Sequence, residues 1–290
     1  MDKFHEPVMR QEVMAGLAPG AGGRYIDATV GGGGLGEAII RRGGLLLGID
    51  ADPAAIEYTK RRFTADFGQE KRSWTLVQGN FRDIWHIADR EGFGQSQGIV
   101  FDLGVSSYQL DTPEKGFSYR FAEAKLDLRF NQESGESAAE LINHIPEEEM
   151  YEIFEKFGEE QLARPLVRAV VSARKISPIN SAGQLAAIVR QVAGDDNQAL
   201  SRVFQALRIA VNDELDALKR GLSGSQKLLV PGGRLAVLSY HSLEDRIVKL
   251  VMRQPGWQPV NKKPILPSAA EVAKNRRARS AKLRIAEKVN

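Results

Sequence analysis

The sequence predicts an α/β fold in which helices cover both faces of a parallel sheet and a helical segment interrupts the sheet. Three observations lead to this prediction. Short apolar runs alternate with helical patterns up to about residue 111, which is the rhythm of a parallel β-α-β-α chain. A glycine-rich loop directly follows the first apolar run. After a stretch of helical periodicity, the same alternation resumes near residue 206.

Each element follows from its local pattern. The apolar runs predict strands at 24–28, 45–50, 74–77, 98–102, 235–240 and 281–285. Apolar residues at helical spacing predict helices at 37–42, 53–63, 140–157, 162–171, 182–192 and 204–222. The stretch 116–135 is polar, aromatic and irregular. We therefore predict a discontinuous core domain of residues 1–111 and 206–290, with an inserted helical domain of residues 112–205.

Composition excludes several classes of protein. The chain has 290 residues, 42% of them hydrophobic and 27% charged, which is ordinary for a soluble globular protein. Its apolar runs are far shorter than the roughly 20 residues that a membrane span needs. It has no cysteine, and His86 and His144 lack partners at metal-ligand spacing, so we expect neither disulfides nor a metal site. We expect a cytoplasmic protein.

Charge is distributed unevenly along the chain. Residues 261–290 contain nine Lys or Arg and two Glu, a net charge of +7, whereas the other 260 residues carry −4. A basic segment beside an acidic body is typical of a protein that binds a polyanion, although a solvated tail has the same composition.

The glycine loop predicts a ligand site. Residues 31–36 (GGGGLG) match the pattern G-x-G-x-x-G between a strand and a helix, where Gly31 and Gly33 allow the tight turn and close approach of a ligand. Nicotinamide, flavin and S-adenosylmethionine enzymes share this pattern. The acids Asp27, Asp50 and Asp102 each end a predicted strand. A carboxylate so close to the loop would repel a pyrophosphate but suits a sulfonium or ammonium ligand, which favours S-adenosylmethionine. The alternative is that these aspartates only cap the following helices.

Longer strings add a family resemblance. They are HEPVM at 5–9, DLGVSSYQLD at 102–111, KGFSY at 115–119, LDLRF at 126–130, FGEE at 157–160, FQALRIAVN at 204–212, SYHSLEDRIVK at 239–249 and RARSAKLR at 277–284. In this order the set resembles the bacterial small-subunit ribosomal RNA cytosine-N4 methyltransferase family, the RsmH (MraW) type, over essentially the whole chain.

The resemblance implies a Rossmann-like class I S-adenosylmethionine-dependent methyltransferase core with a helical insertion domain that recognises substrate. It also implies methylation of the exocyclic amine of one cytidine in the decoding region of small-subunit (16S) ribosomal RNA. The cofactor contacts carried over from the family are Gly33, Gly34, Leu35, Asp50, Phe81, Asp102 and Gln109.

The reaction needs an acceptor for the hydrogens of a cytosine amine, and a carboxylate is the natural one. Asp102 is our candidate, with cofactor binding alone as the alternative. His241 follows a core strand at the same edge, where it either contacts the target base or a phosphate, or merely precedes a helix that begins with a Ser242-x-x-Asp245 capping box.

The target base must be single-stranded or flipped out of a helix. Candidate contacts to RNA combine aromatic rings for stacking with arginines for phosphates: Phe117, Tyr119, Arg120, Arg129, Arg277 and Arg279. The expected partner is small-subunit ribosomal RNA or the small ribosomal subunit, and a homodimer is left open. The alternatives are a methyltransferase for another nucleic acid or a protein, and a ribosome-assembly binder without catalysis.

Overall fold

The computed structural model describes residues 7–68 and 73–290. The motif residues His5 and Glu6 therefore lie outside the described residues. Contacts divide the chain into two compact units: unit 1 comprises Met1–Gly104 and Leu215–Asn290, and unit 2 comprises Val105–Glu214. Unit 2 is wider than the range 112–205 over which the sequence pattern changes. Its assignment as a substrate-recognition domain stays a prediction.

Unit 1 is built on a seven-stranded sheet with the order β3-β2-β1-β4-β5-β7-β6. The first five strands are parallel, and the last two are antiparallel to their neighbours. The mixed α/β class predicted from the sequence is confirmed. The strands are β1 (Arg24–Asp27), β2 (Leu45–Asp50), β3 (Trp74–Gln78), β4 (Ser96–Asp102), β5 (Leu229–Ser239), β6 (Trp257–Pro259) and β7 (Lys282–Lys288).

Alternate residues of the strands supply two cores, because successive side chains of a strand point to opposite faces. One core joins Ile26, Ile99 and Val237 to helices α4, α11 and α12, and the other joins Tyr25 and Val100 to helices α1, α2 and α3. The helices are α1 (Arg10–Leu17), α2 (Gly34–Ile40), α3 (Pro53–Phe67), α4 (Ile84–Arg90), α11 (Glu214–Leu228) and α12 (Ser242–Val251), and a short α13 (Ala269–Lys274) follows β6.

Strand β5 begins earlier than the sequence predicted. It starts at Leu229, six residues before the predicted start at residue 235, and its register against β4 shifts between Ser96 and Gly98. Ser96 pairs with Leu229 and Gly98 pairs with Arg234. Over this interval β5 therefore runs through five residues while β4 runs through two. The Pro-Gly-Gly segment is therefore an irregularity within the strand, with Gly232 at a φ of 80°.

Unit 2 consists of helices around one core. Two predicted helices are each broken in two. The first breaks before Pro146, whose ring cannot continue a helix, and the second breaks at Asp213, which has a left-handed φ of 49°. The helices are α5 (Ser107–Asp111), α6 (Ala138–His144), α7 (Glu147–Lys156), α8 (Ala163–Ile176), α9 (Ala182–Ala193) and α10 (Asn197–Asn212).

The segment 116–135 is irregular, as predicted, but it is held in place. Leu126 donates its N–H to the Asn180 carbonyl, and Ala182 donates to the Ala124 carbonyl. Gly116 has a φ of 70°, and a Cβ there would lie 2.2 Å from the Lys125 carbonyl oxygen. Glycine is therefore required at position 116, where the chain passes close to the backbone of Lys125. Within the described ranges, no helix has the length and apolar character to cross a membrane.

Candidate functional site

The carboxyl edge of the sheet in unit 1 collects three acidic side chains. Asp27, Asp50 and Asp102 are the last residues of β1, β2 and β4. Strand β1 lies between β2 and β4, and the strand order reverses there. Crevices at such a switch point, beyond the carboxyl ends of the strands, are where open α/β sheets bind ligands.

The glycine loop begins at Gly31, four positions after Asp27 at the end of β1, and leads into α2. Gly31 and Gly33 have φ values of 48° and 78°, and Gly33 is the N-cap of α2. A Cβ on Gly33 would lie 2.8 Å from side-chain atoms of Phe63 and Thr59. Glycine is thus required at position 33 for both backbone conformation and space.

Helix α3 fixes the loop from outside. The Thr59 hydroxyl donates to the Gly31 carbonyl at 2.6 Å, and Arg62 donates to the Gly32 carbonyl at 2.6 Å. Arg62 also forms an ion pair with Glu37 on α2. Both carbonyls are bonded to α3, so the loop is held in one shape before any ligand binds.

The Asp50 carboxylate is oriented by backbone. Its Oδ2 accepts the Gly31 N–H at 2.8 Å and its Oδ1 accepts the Asp52 N–H at 2.9 Å. These two bonds set the plane of the carboxylate and tie the end of β2 to the glycine loop. The predicted capping role belongs instead to Asp52, which accepts the Ala54 N–H at the start of α3.

Asp27 is the acid of this edge that lies deepest in the protein. It is 1% exposed. Burial raises its pKa to about 7, and the charges of Asp102 and Asp50 act in the same direction, while the Thr29 N–H opposes them. A buried acid with a pKa near neutrality, at a ligand-binding edge, is a recognised marker of a functional site.

Asp102 is held by two neighbours that the sequence analysis did not single out. Its backbone N–H donates to the Thr29 hydroxyl oxygen at 2.7 Å, which joins the ends of β1 and β4. Its Oδ1 accepts the Tyr240 hydroxyl at 2.6 Å. Tyr240 directly follows β5 beside His241, so its position after a strand was the available signal.

Phe81 lies at the same edge. It follows Asn80, which caps a short 3-10 helix, and its ring meets the edge of Phe101 with ring centroids 5.5 Å apart. A Cβ on Gly221 of α11 would lie 3.0 Å from the Phe81 ring. The ring is thus held between β4 and α11, and it is only partly exposed.

His241 is the N-cap of α12. Its backbone N–H and that of Tyr240 both donate to Glu244 Oε2, and its Nδ1 faces the Glu244 N–H at 3.5 Å. The predicted Ser242-x-x-Asp245 box is wrong, because the box that forms is His241-x-x-Glu244. Asp245 instead forms a two-bond ion pair with Arg284 of β7. A catalytic role for His241 stays a prediction.

The predicted RNA contacts of unit 2 are largely engaged within it. Phe117 is buried and stacks on Phe130, with centroids 5.6 Å apart. Tyr119 meets Phe204 edge-on and lies 3.3 Å from the Ser201 hydroxyl.

The two arginines of unit 2 that were predicted to contact RNA each pair with an aspartate. Arg129 forms a two-bond ion pair with Asp127 at 2.8 Å, which lowers the pKa of that carboxyl against the effect of burial. The exposed Arg120 donates to Asp111 at 2.8 Å.

Gln109 lies in unit 2, in a capping box at the start of α5. Its side-chain oxygen accepts the Ser106 N–H at 3.0 Å, and its own N–H donates to the Ser106 hydroxyl. The side chain is buried. Its assignment to the cofactor stays a prediction.

The basic tail is partly ordered by its own contacts. Arg277 lies in a short 3-10 helix, where its N–H donates to Asn275, and Ala278 anchors this helix in the core. Arg279 is exposed. Arg284 is engaged with Asp245, so the net charge of +7 overstates the positive charge available to a partner.

Comparisons of sequence with known proteins bear on identity. Residues 2–289 match a family model described as "MraW methylase family". A protein of Thermomicrobium roseum named "Ribosomal RNA small subunit methyltransferase H" is 44% identical, and the match covers 98% of this chain and 94% of that protein. A protein of the same name from Deinococcus deserti is 44% identical, with 99% and 94% covered. The solved structure of TrmN from Thermus thermophilus is 11% identical, with a TM-score of 0.47 and coverage of 97% of this chain and 48% of that one.

Proposed function

This chain belongs to the MraW methylase family, and we propose that it transfers a methyl group from S-adenosylmethionine to the exocyclic N4 of a cytidine in the decoding region of small-subunit ribosomal RNA. The name of its relatives supports an acceptor in the small-subunit RNA. The observation that carries the proposal is the set of three carboxylates at the carboxyl edge of the sheet, beside a preformed glycine loop.

The residues present fit this cofactor better than a dinucleotide. Asp27 is buried beside Asp50 and Asp102, and a pyrophosphate would add negative charge to a site that already suppresses ionisation of one acid. A cationic ligand has the opposite effect, because an opposite charge favours the ionised carboxylate. When bound, S-adenosylmethionine supplies a methyl group activated by the positive sulfur.

Each residue of the edge has a proposed part in binding. The backbone of Gly31, Gly33, Gly34 and Leu35 would approach the cofactor closely. Asp27 would face its positive charge, and Asp50, with its carboxylate oriented by two N–H groups, would accept the ribose hydroxyls. Phe81 would lie against the adenine. Gln109 is a further proposed contact.

Asp102 is the proposed acceptor for the cytosine amine. The lone pair of that nitrogen is delocalised into the ring, so the enzyme must orient it and accept a hydrogen as positive charge builds. Orientation of two reactants supplies roughly 7–11 kcal/mol of a barrier. As the new N–C bond forms, the bond between the methyl carbon and sulfur would break and leave S-adenosylhomocysteine. The nitrogen loses one proton, which Asp102 would receive. His241 is the alternative group at this edge.

The acceptor must present an unpaired or flipped-out base. Phe117 and Tyr119 are the proposed stacking residues, and Arg120, Arg129, Arg277 and Arg279 the proposed phosphate contacts. Among these, Arg279 offers the clearest phosphate contact, because it is exposed and lacks an ion pair in the part of the chain that the structure describes. We propose a cytoplasmic protein that acts on ribosomal RNA or the small subunit, and we leave a homodimer open.

The test is methyl transfer from labelled S-adenosylmethionine to small subunits prepared from cells that lack this modification. The RNA is then digested and its nucleosides are separated. Label in N4-methylcytidine within the decoding region supports the proposal, and Asp50→Ala, which removes the ribose acceptor, should abolish that label. Label only in DNA or protein acceptors would mean another substrate. Tight cofactor binding without transfer to any acceptor would mean an assembly binder.

A further inference from the structure

One contact at the carboxyl edge has no part in the functions assigned so far. The Tyr240 hydroxyl donates to Asp102 Oδ1 at 2.6 Å. This is a short bond for a phenol and a carboxylate, in the range of charge-assisted hydrogen bonds. It joins the residue that follows β5 to the last residue of β4, the carboxylate proposed to accept the proton of the amine.

The ring of Tyr240 is set in place independently of that bond. Its backbone N–H donates to Glu244 Oε2 at 2.8 Å, and Glu244 is a buried residue of α12. The ring packs over Gly104, where a Cβ would lie 3.4 Å from Tyr240 Cδ2. Gly104 has a φ of 92°, so this position strongly favours glycine. The pairing of Asp102 with Leu238 fixes the register of the two strands below. The hydroxyl therefore reaches the carboxylate from a fixed direction.

A phenol is a suitable donor at this place because it carries no charge. A lysine or arginine would neutralise Asp102 and would repel a cationic cofactor. Burial, together with the charges of Asp102, Glu244 and Glu271, raises the pKa of Tyr240 well above its usual value. The hydroxyl thus stays a donor throughout the neutral range.

We propose that Tyr240 is a positioning residue for methyl transfer: its hydroxyl holds one oxygen of Asp102 and thereby orients the carboxylate that receives the proton of the cytosine amine. This inference rests on the proposed function and deepens it. In this role Tyr240 acts through Asp102 and contacts neither substrate.

The experiment is a double-mutant cycle on kcat with small subunits as acceptor. Tyr240→Phe keeps the ring and removes the hydroxyl, so we expect kcat to fall at least about tenfold, which is a part of the roughly 10²–10⁴-fold that a positioned proton acceptor contributes. The KM for the subunit should stay unchanged. In the Asp102→Asn background, the same change should alter kcat less than about twofold, because coupled residues are not additive. If Asp102→Asn has no measurable rate, Asp102→Glu closes the cycle.

Tyr25→Phe is the matched control. Tyr25 is also buried in unit 1, and its hydroxyl accepts the Gly20 N–H at 2.9 Å, away from the carboxyl edge. The Tyr25→Phe variant should have lower thermal stability than the wild type and the same kcat. Wild-type kcat in Tyr240→Phe overturns the proposal, and so do equal losses in both backgrounds, which would mean a structural role. Failure of the proposed function looks different, because the wild-type protein itself would then make no N4-methylcytidine.

Discussion

Replacing Asp27 with Asn should stabilise the free protein, and more so at higher pH. Burial places the pKa of this carboxyl at about 7, against an ordinary value of 3.8. Between these values the folded state binds more protons than the unfolded state, so the free energy of unfolding falls as pH rises. Asn has no charge to bury, and its side-chain oxygen can still accept the Thr29 N–H that Asp27 accepts at 3.2 Å.

The size of the effect follows from the two pKa values. Linkage gives a gain for Asp27→Asn of about 2 kcal/mol at pH 5 and about 4 kcal/mol at pH 8, as an order of magnitude. The gain in unfolding free energy should vanish at pH values below 3.8, the ordinary pKa of the carboxyl. It should be accompanied by weaker binding of S-adenosylmethionine, since the ionised carboxylate is the proposed partner of the positive charge.

The assay is urea unfolding followed by tryptophan fluorescence at several pH values. The three tryptophans of the chain, Trp74, Trp85 and Trp257, belong to unit 1, so the signal reports on the unit that contains Asp27. Asp89→Asn, at an exposed position of α4, is the control and should show no such trend. A variant less stable than the wild type by the same amount at pH 5 and pH 8 would refute the reasoning.

Three further results are expected. Gly33→Ala should lower the thermal midpoint and weaken cofactor binding at least about tenfold by calorimetry, because a positive φ costs about 1–3 kcal/mol for other residues and Phe63 and Thr59 leave no room. Gly22→Ala, with a φ of 74° and nothing within 4 Å, tests the backbone cost alone. Arg129→Ala should destabilise unit 2 by about 1.5–3 kcal/mol through loss of its two-bond pair with Asp127, as measured by amide hydrogen exchange. Weaker RNA binding at unchanged stability would instead mean that Arg129 acts as a phosphate contact and not as a structural residue. Arg279→Glu should weaken RNA binding and reduce the slope of log affinity against log salt by about 1–2, whereas Lys60→Glu, on an exposed face of α3, should not.

The parallel part of the sheet was predictable because its central strands are buried on both faces. Leu45–Asp50 and Ser96–Asp102 are apolar runs that end in an acid, and that pattern is local. Strand β6 was not predicted, since its three residues include Pro259 and form a strand only by pairing with β7. Helices α1 and α4 were also missed, because eight and seven residues give too few turns for a clear period.

The candidate site was predictable to the extent that it depends on strand ends. Asp27, Asp50 and Asp102 could be placed together because parallel strands end at one edge. The Tyr240 to Asp102 bond spans 138 residues and depends on how β5 pairs with β4. The pairing of Arg129 with Asp127 is close in sequence, but Leu128 between them has a left-handed φ of 64°, which no local pattern indicated.

The place of β7 in the sheet sets the order in which the protein can fold during synthesis. The ribosome makes β6 before β7, yet β7 lies between β5 and β6 and is the strand that β6 pairs with. Until Lys282–Lys288 have emerged, β5 presents an unpaired edge, and exposed edges invite pairing with other chains. Strands β1 to β4 are synthesised before Val105–Glu214, so β4 can pair with β5 only after that whole segment has been translated. We expect shortened chains that end before β7 to aggregate, and we expect folding of unit 1 to be completed only after translation has passed its last strand.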